Sequence, residues 1–380
     1  MKIYYLINSR IPTEKAEGLE AMKLCEALSK KNQLVLIAPK RVNKIKEDPF
    51  LFYDIDKSFE IIKLPIIDLV GFGRVGFLIT SLVYAIISCL YLLARSDKRD
   101  AFFSHDKFSL FFLSFLRKNI FYDIHDFPEN KELFYKYFLK KIRGIITTNH
   151  WKKERLIKQF GLLPEKILVQ PNGVDIKSFN INIDKEEARK KIGLPLNKTL
   201  LGYVGMLKTM GMEKGVGIAL ETLRYLEKDI NLILVGGNGE DMRYYKNIAK
   251  KHNVQNRVVF IGWIKNKLVP IYLKAFDILL APFPMNDHYN YYMSPMKIFE
   301  YMASKKPIVA SDLNSIREIL DDKSAILVEP GSAEKMAVGI KRLINNPGLS
   351  SALTSEAFIK IQQYTWDIRA EKIFQFIKNT

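Results

Sequence analysis

The sequence predicts an α/β chain made of two doubly wound parallel sheets in series, and three observations predict it. Short apolar runs alternate with helical stretches along both halves, the rhythm of strand–helix–strand units. The segment Pro171–Phe179 opens with P-N-G-V-D, which breaks any regular element and puts a join near the middle. The chain has 380 residues, 48% hydrophobic and 26% charged, a globular composition with room for two domains.

Each element follows from its residues. Lys2–Ile7 reads as the first strand. Residues 16–31 read as a helix with Leu19, Met22, Leu24, Cys25 and Leu28 inward. Strands follow at Leu34–Ala38, ended by Pro39, and at Ile61–Leu64, Ala101–Ser104, Ile120–Ile124 and Gly144–Thr148. In the second half, Leu200–Val204 is a strand, and a helix begins near Gly215. Asn231–Val235 is a strand, after which Gly236-Gly237-Asn238-Gly239 opens a helix. Val258–Ile261, Ile278–Ala281, Ile308–Ala310 and Ala325–Val328 read as further strands, and Ser355–Ile377 as one last helix. Both halves are therefore expected to be Rossmann-like.

One segment stands apart. Val75–Ala94 is uncharged and long enough to span a bilayer, with Arg74 before it and Arg95, Lys98 and Arg99 after it. Spanning would split the first sheet across a membrane. A helix packed on that sheet, with one side dipping into a membrane surface, is the reading preferred over spanning or full burial. The net charge is +18, spread as +10 over residues 1–180 and +8 over residues 181–380. That excess favours anionic partners, and no zinc pattern, recognition helix or RNA-reading motif points to nucleic acid. Two cysteines, Cys25 and Cys89, are too few for a disulfide framework and fit a reducing cytosol. The N-terminus opens as a strand, not as a secretory leader.

Chemistry concentrates in loops after strands, where open α/β sheets bind ligands. In S-P-M-K-I-F-E-Y-M-A, Ser294–Ala303, Lys297 and Glu300 share a helix face near its start. Unpaired amides and a Lys suit a diphosphate, and a Glu one turn on can accept from a vicinal diol. A solvated Lys–Glu pair is the plain alternative. The loop Gly205–Gly215 offers glycines with Lys208 and Lys214, and Gly236–Gly239 adds another glycine turn. His125 in Y-D-I-H-D-F-P-E and His105 after Ser104 are loop histidines, able to orient a sugar hydroxyl or to cap the sheet edge. Gly18 near a helix start permits close approach of a ligand. No G-x-G-x-x-G follows a strand, which argues against a nicotinamide enzyme.

In this order the motifs resemble the retaining glycosyltransferases of family 4, which have the GT-B fold. The resemblance runs through I-P-T-E-K-A-E-G-L-E (Ile11–Glu20), Tyr122–Glu129, Pro171–Asp175, M-E-K-G-V (Met212–Val216) and L-I-L-V-G-G-N-G (Leu232–Gly239). It continues through V-V-F-I-G-W-I (Val258–Ile264), Ala275–Phe283 and S-P-x-K-x-x-E-Y-M-A. It implies two Rossmann-like domains facing a central cleft. Residues 1–175 would form the acceptor side, with a C-terminal helix of about 360–380 packing back on it, and 176–359 would bind the donor.

The resemblance implies a nucleotide-activated sugar, UDP- or GDP-linked, as donor. Lys214 and Lys297 would face its diphosphate, and Glu300, the second Glu of the family's E-x7-E, its ribose. Gly205, Lys208, Gly237 and the backbone of Gly262, Trp263 and Ile264 would complete the nucleotide site, with Gly18 opposite. Tyr292, Met293, Ser294, Pro295 and Met296 would form the loop at the sugar and diphosphate. His125, Lys214 and Lys297 would be catalytic, no metal or other cofactor would be needed, and transfer would be of hexosyl type. Two departures stand out: Tyr292 occupies the place of the first Glu of E-x7-E, and Met206 that of an expected Arg, whose charge Lys208 or Lys297 would replace. Tyr289, Tyr291 and Tyr292 would stack on a sugar or simply pack.

The charge, the apolar segment and the basic run Lys136–Lys158 suggest a lipid-linked or glycan acceptor and a cytoplasmic protein, peripheral at the inner face of the cell membrane. The basic run is expected on one side of the first domain through Lys140, Lys141, Arg143, Lys152, Lys153 and Arg155. Two alternatives are a sugar-nucleotide epimerase of the same architecture and a non-enzymatic protein for anionic surfaces.

Overall fold

The computed structural model describes residues 1–127, 132–209 and 211–380. Pro128 and Glu129 of the Y-D-I-H-D-F-P-E segment, and Met210 of the Gly205–Gly215 loop, lie outside the described residues.

The chain divides into two compact units, Met1–Asn172 with Trp366–Thr380, and Gly173–Thr365. The first holds a seven-stranded sheet: β1 (Ile3–Leu6), β2 (Leu34–Lys40), β3 (Glu60–Pro65), β4 (Ala101–Ser104), β5 (Ile120–Ile124), β6 (Gly144–Thr147) and β7 (Ile167–Val169). Their order is β3-β2-β1-β4-β5-β6-β7, with every neighbour parallel. The second holds β8 (Thr199–Val204), β11 (Ile230–Val235), β12 (Val258–Gly262), β13 (Ile278–Ala281), β14 (Ile308–Ser311) and β15 (Ile326–Val328). That six-stranded sheet runs β12-β11-β8-β13-β14-β15, again parallel throughout. Between β8 and β11 lies a two-stranded antiparallel hairpin, β9 (Lys208–Thr209) and β10 (Met212–Glu213).

The inner strands of both sheets are buried on both faces, which is why they read as continuous apolar runs, while the edge strands β3 and β12 are only partly covered. In each sheet the direction of travel reverses once, between β1 and β4 and between β8 and β13. Such switch points leave a crevice at the carboxyl edge, because the flanking loops depart to opposite sides.

Several local expectations need correction. β2 continues through Pro39 to Lys40, with Pro39 beside Leu64 of β3. β7 and the β9–β10 hairpin were not foreseen, being too short for a periodic signal. The supposed single helix at 355–377 is two helices, Pro347–Ile361 and Trp366–Asn379. They are separated at Gln362–Thr365, where Thr365 bridges Val174. The last of these helices belongs with the first unit and packs on α1 (Ala16–Ser29).

The apolar segment forms α2 (Gly73–Arg95), packed on the first sheet: the Tyr84 hydroxyl donates to the Ile37 carbonyl at 2.8 Å. Ala85 and Leu92 are buried under it, so full burial and free exposure are both excluded. The other side carries Val75 at 70%, Leu90 at 62% and Ile86 at 47% exposure, a large apolar surface on one helix.

Candidate functional site

In the second unit the loops after β8, β11, β12 and β13 gather at one sheet edge, and glycines make this possible. Gly215 has φ +80, and a Cβ there would lie 1.6 Å from the Pro282 carbonyl oxygen. Gly236, at φ +115, faces the Gly205 carbonyl at 2.2 Å in the same sense, and its N–H donates to the Gly262 carbonyl at 2.6 Å. No other residue type tolerates both the conformation and the contact.

Helix α3 (Met296–Ala303) starts at this edge. Pro295 caps it in extended conformation without a side-chain acceptor, so its first-turn amides lack a side-chain partner. Lys297 sits in the first turn and is buried. Its Nζ lies 3.5 Å from the Tyr203 ring centroid and 5.2 Å from that of Phe283, and no hydrogen-bond partner reaches it. A Cβ on Gly205 would come within 3.2 Å of the Lys297 Nζ, so the lysine points into the switch crevice between β8 and β13.

The charges here are perturbed by burial. Burial lowers the Lys297 pKa well below the usual lysine value, and the neighbouring Lys214 pushes it further down against the opposing pull of Glu300. Burial lowers Lys214 to about 8. Burial raises Glu300 to about 7, partly offset by Lys297. Two cations and one carboxyl thus share a poorly solvated edge, an arrangement suited to a dianion beside a hydroxyl-bearing group.

The other residues singled out here fall unevenly. Gly205, Gly237 and Gly262 are at this edge, with Trp263 43% exposed and Ile264 partly buried beyond it. Lys208 has its Nζ 3.5 Å over the Tyr244 ring, and Tyr244 in turn donates to Glu213 at 2.6 Å. Of the two proposed replacements for the missing Arg, Lys297 lies against Gly205. Tyr289 and Tyr292 are packing aromatics, 1% and 8% exposed, in a π-helical turn at His288–Tyr292. Met293, Ser294, Pro295 and Met296 connect that turn to α3 and are all partly buried.

The first unit has a second cluster, at the switch between β1 and β4. His105 after β4 meets Glu17 of α1, Nε2 to Oε1 2.7 Å, and Ser9 donates to the same carboxylate at 3.0 Å. Burial opposes both charges, but their pairing outweighs it: His105 rises to about 9 and Glu17 falls to about 2. His125 after β5 has Nε2 3.3 Å from Glu20 and 3.5 Å from Asp123. Burial resists its protonation, yet Glu20 and Asp123 leave its pKa raised.

Glu20, Asp123 and His125 are close enough to hold a cation between them. The cation that meets these acids is Arg369, whose guanidinium donates to Asp123 at 2.7 Å and lies 3.8 Å from Glu20. Asp123 is accordingly held below the usual carboxylate range, Arg369 outweighing the effect of burial.

Two readings of the first unit change. Gly18 is required by packing within its own unit: a Cβ there would be 2.3 Å from the Tyr53 hydroxyl and 2.4 Å from Thr13 Cγ2. Lys152 is not part of a surface basic run. It is fully buried, donating to the carbonyls of Ile124 and His125 at 3.0 and 2.9 Å and to Thr148 at 2.7 Å. Burial lowers it to about 7. Lys140, Lys141 and Arg143 do line one basic pocket of about 600 Å³ together with Arg117, Lys118 and Lys166.

Sequence reasoning missed Tyr203 and Phe283 under Lys297, the partner of His105, and Arg369. Only Glu17 and Glu20 left a trace, as two acids one turn apart in a helix that also carries Lys23 and Glu26.

Comparisons with known proteins bear on the fold and the family. An uncharacterized glycosyltransferase of Methanocaldococcus jannaschii is 24% identical over 240 residues, 62% of this chain and 59% of that protein. A UDP-Gal:α-D-GlcNAc-diphosphoundecaprenol α-1,3-galactosyltransferase of Escherichia coli is 30% identical over 179 residues, 45% of this chain and 43% of that one. The chain thus spans little more than half the length of the curated relatives it matches first, 59%, 52% and 54% of them. Among solved structures, Anabaena HepE in complex with UDP and glucose superposes with TM-score 0.78 at 18% identity over 100% of both chains. Residues 184–360 match the model of the family Glycosyl transferases group 1. The second unit therefore carries a glycosyl transferases group 1 domain, and the chain has the α/β GT-B fold.

Proposed function

We propose that this protein is a glycosyltransferase. In this reading it moves a sugar from a nucleoside-diphosphate sugar to an acceptor hydroxyl, with retention at the anomeric carbon and without a metal ion. The observation that carries the reading is Lys297, a buried cation with no hydrogen-bond partner, pointing into the switch crevice beside Lys214 and an uncapped helix start. A fold keeps such a charge only at a cost, which a bound diphosphate offsets. The binding of UDP and of UDP-glucose to structurally similar HepE supports the donor class.

The chain's own residues account for the chemistry as follows. The bond between the anomeric carbon and the diphosphate oxygen breaks, and its electron pair leaves with the phosphate. Lys297, Lys214 and the first-turn amides of α3 stabilise that developing charge, more strongly for being poorly solvated. The bond to the acceptor oxygen forms on the same face, and the acceptor proton passes to the departing phosphate oxygen. With tyrosine at 292, no carboxylate nucleophile is assigned. Glu300, once ionised, accepts from the ribose diol. His125 is a candidate for orienting a sugar hydroxyl.

The pH dependence of donor affinity tests the site. UDP-glucose is a diphosphate diester and stays ionised throughout, so the profile reports the free protein's groups. Affinity is expected to rise about tenfold per unit below pH 7, as Glu300 ionises at about 7. It is expected to fall above about 8, where Lys214 loses its proton. Glu300→Ala should remove the rising limb and weaken binding. A flat calorimetric profile, or unchanged affinity in both Glu300→Ala and Lys297→Ala, would falsify the assignment.

The acceptor, in this reading, is lipid-linked and met at an anionic membrane surface. Support comes from the exposed apolar side of α2 and the six-cation pocket at Arg117, Lys118, Lys140, Lys141, Arg143 and Lys166. The E. coli relative's name describes a diphosphoundecaprenol acceptor. The protein is expected to float with vesicles containing phosphatidylglycerol, and to do so less when Val75 and Leu90 are both replaced by Ser. Recovery in the unbound fraction at low salt counts against this location.

A further inference from the structure

The first unit contains a pocket of about 620 Å³ outside the carboxyl ends of β1, β2, β4 and β5, and its charges do not balance internally. Its three lining acids are Glu17, Asp106 and Asp126, the last acting on the buried Lys152. Glu17 pairs with His105, and Asp106 caps the following helix through the N–H groups of Phe108 and Ser109 at 3.4 and 3.1 Å. Its cations are not engaged in the same way. Among the described residues Arg41 makes no ion pair: one terminal nitrogen donates to the neutral Asn8 side chain at 2.6 Å, and its buried Nε has no partner. Asp68, the acid acting most strongly on Arg41, accepts from the backbone of Val42 and Val70 at 3.0 and 3.3 Å. Among the described residues the neighbours of the Lys107 Nζ are rings, those of Phe108 and Tyr135 at 5.8 and 5.6 Å. Lys15, on the loop before α1, lines the pocket too, as do His105, paired with Glu17, and His125.

The pocket also has an apolar side. Val70 and Phe77 line it, and the Arg41 guanidinium lies 5.8 Å from the Phe77 ring. Phe77 is 45% exposed at the beginning of α2, and the adjoining Leu78 and Ile79 continue an open apolar surface at 46% and 43%. A ligand with a charged end and an apolar tail meets complementary surface at both.

We propose that this pocket binds the acceptor through a phosphate or diphosphate group held by Arg41, Lys107 and Lys15, with an apolar tail leaving along Phe77 and α2. The proposal rests on the reading of the first unit as the acceptor side and adds the chemical class of that acceptor. Arg41 is the central residue, since a guanidinium offers a forked donor to a phosphate and here has an unused Nε to give.

The test uses farnesyl diphosphate, inorganic pyrophosphate and farnesol as probes, titrated by calorimetry into the full chain saturated with UDP. Farnesyl diphosphate is expected to bind, pyrophosphate more weakly and farnesol at least tenfold more weakly, because losing a charged hydrogen bond is worth about 1.5–3 kcal/mol. Arg41→Gln should weaken farnesyl diphosphate about tenfold or more, and Arg41→Lys should restore part of it. Phe77→Ser should weaken farnesyl diphosphate but not pyrophosphate. UDP affinity and melting temperature, measured on each variant, separate this from misfolding and from loss of the donor site. If UDP itself fails to bind the unmodified chain, the donor reading fails, and the Arg41 comparison still decides the acceptor pocket. Equal affinity of Arg41→Gln and the unmodified chain for farnesyl diphosphate, or displacement of that ligand by UDP, overturns the proposal.

Discussion

Replacing Lys297 with methionine is expected to raise the melting temperature of the ligand-free protein and to abolish its stabilisation by UDP. The side chain lies against the rings of Tyr203 and Phe283 with no partner for its ammonium group, so an apolar chain of similar length fits better there. The gain should be largest at acidic pH. A lysine whose folded pKa is lowered penalises the fold wherever it stays charged, and that penalty fades as pH approaches 10.5, where the unfolded lysine also loses its proton. Transfer should fall about 10²–10³-fold, the effect of removing one preorganised charge stabiliser. Thermal shift with and without UDP checks the first part, and steady-state rates the second. A variant less stable than the parent that still responds fully to UDP would show that the lysine serves the fold and not a ligand.

Arg369→Ala is expected to be the most destabilising single change in the first unit, by about 3–5 kcal/mol, because it strands buried carboxylates without their counter-charge. Arg369 is fully buried, donates to Asp123 at 2.7 Å and also bonds the carbonyls of Gln170 and Pro171, the latter at 2.9 Å. At this domain size such a loss lowers the melting temperature by roughly 6–20 °C. Adding Asp123→Asn should restore part of it, since the remaining group is then neutral. Calorimetric melting of both variants is the measurement. Additive losses would mean that the two residues stabilise the unit separately.

The two parallel sheets could be read from the chain because both faces of their strands are covered, and apolar runs such as Ile230–Val235 survive as continuous signals. Lys297, Glu300 and Lys214 could be read for a related reason: each follows a strand at the edge where ligands bind. The break between Ile361 and Trp366 could not. Gln362–Thr365 contains neither Gly nor Pro, and the helix stops there because Thr365 pairs with Val174. Lys152 looked like one more charge in a basic run, since its carbonyl partners at Ile124 and His125 become neighbours only after β5 and β6 pair. The Asp123–Arg369 pair spans 246 residues, beyond any local pattern.

The helix Trp366–Asn379 has a consequence for biosynthesis. Ribosomes deliver β5 with Asp123 first, yet the arginine that neutralises it follows 246 residues later. The uninterrupted stretch Gly173–Thr365 is already complete by then. Nascent Asp123 and Glu20 must keep their water until that distant partner docks, so the first unit matures only after the stretch between has been made.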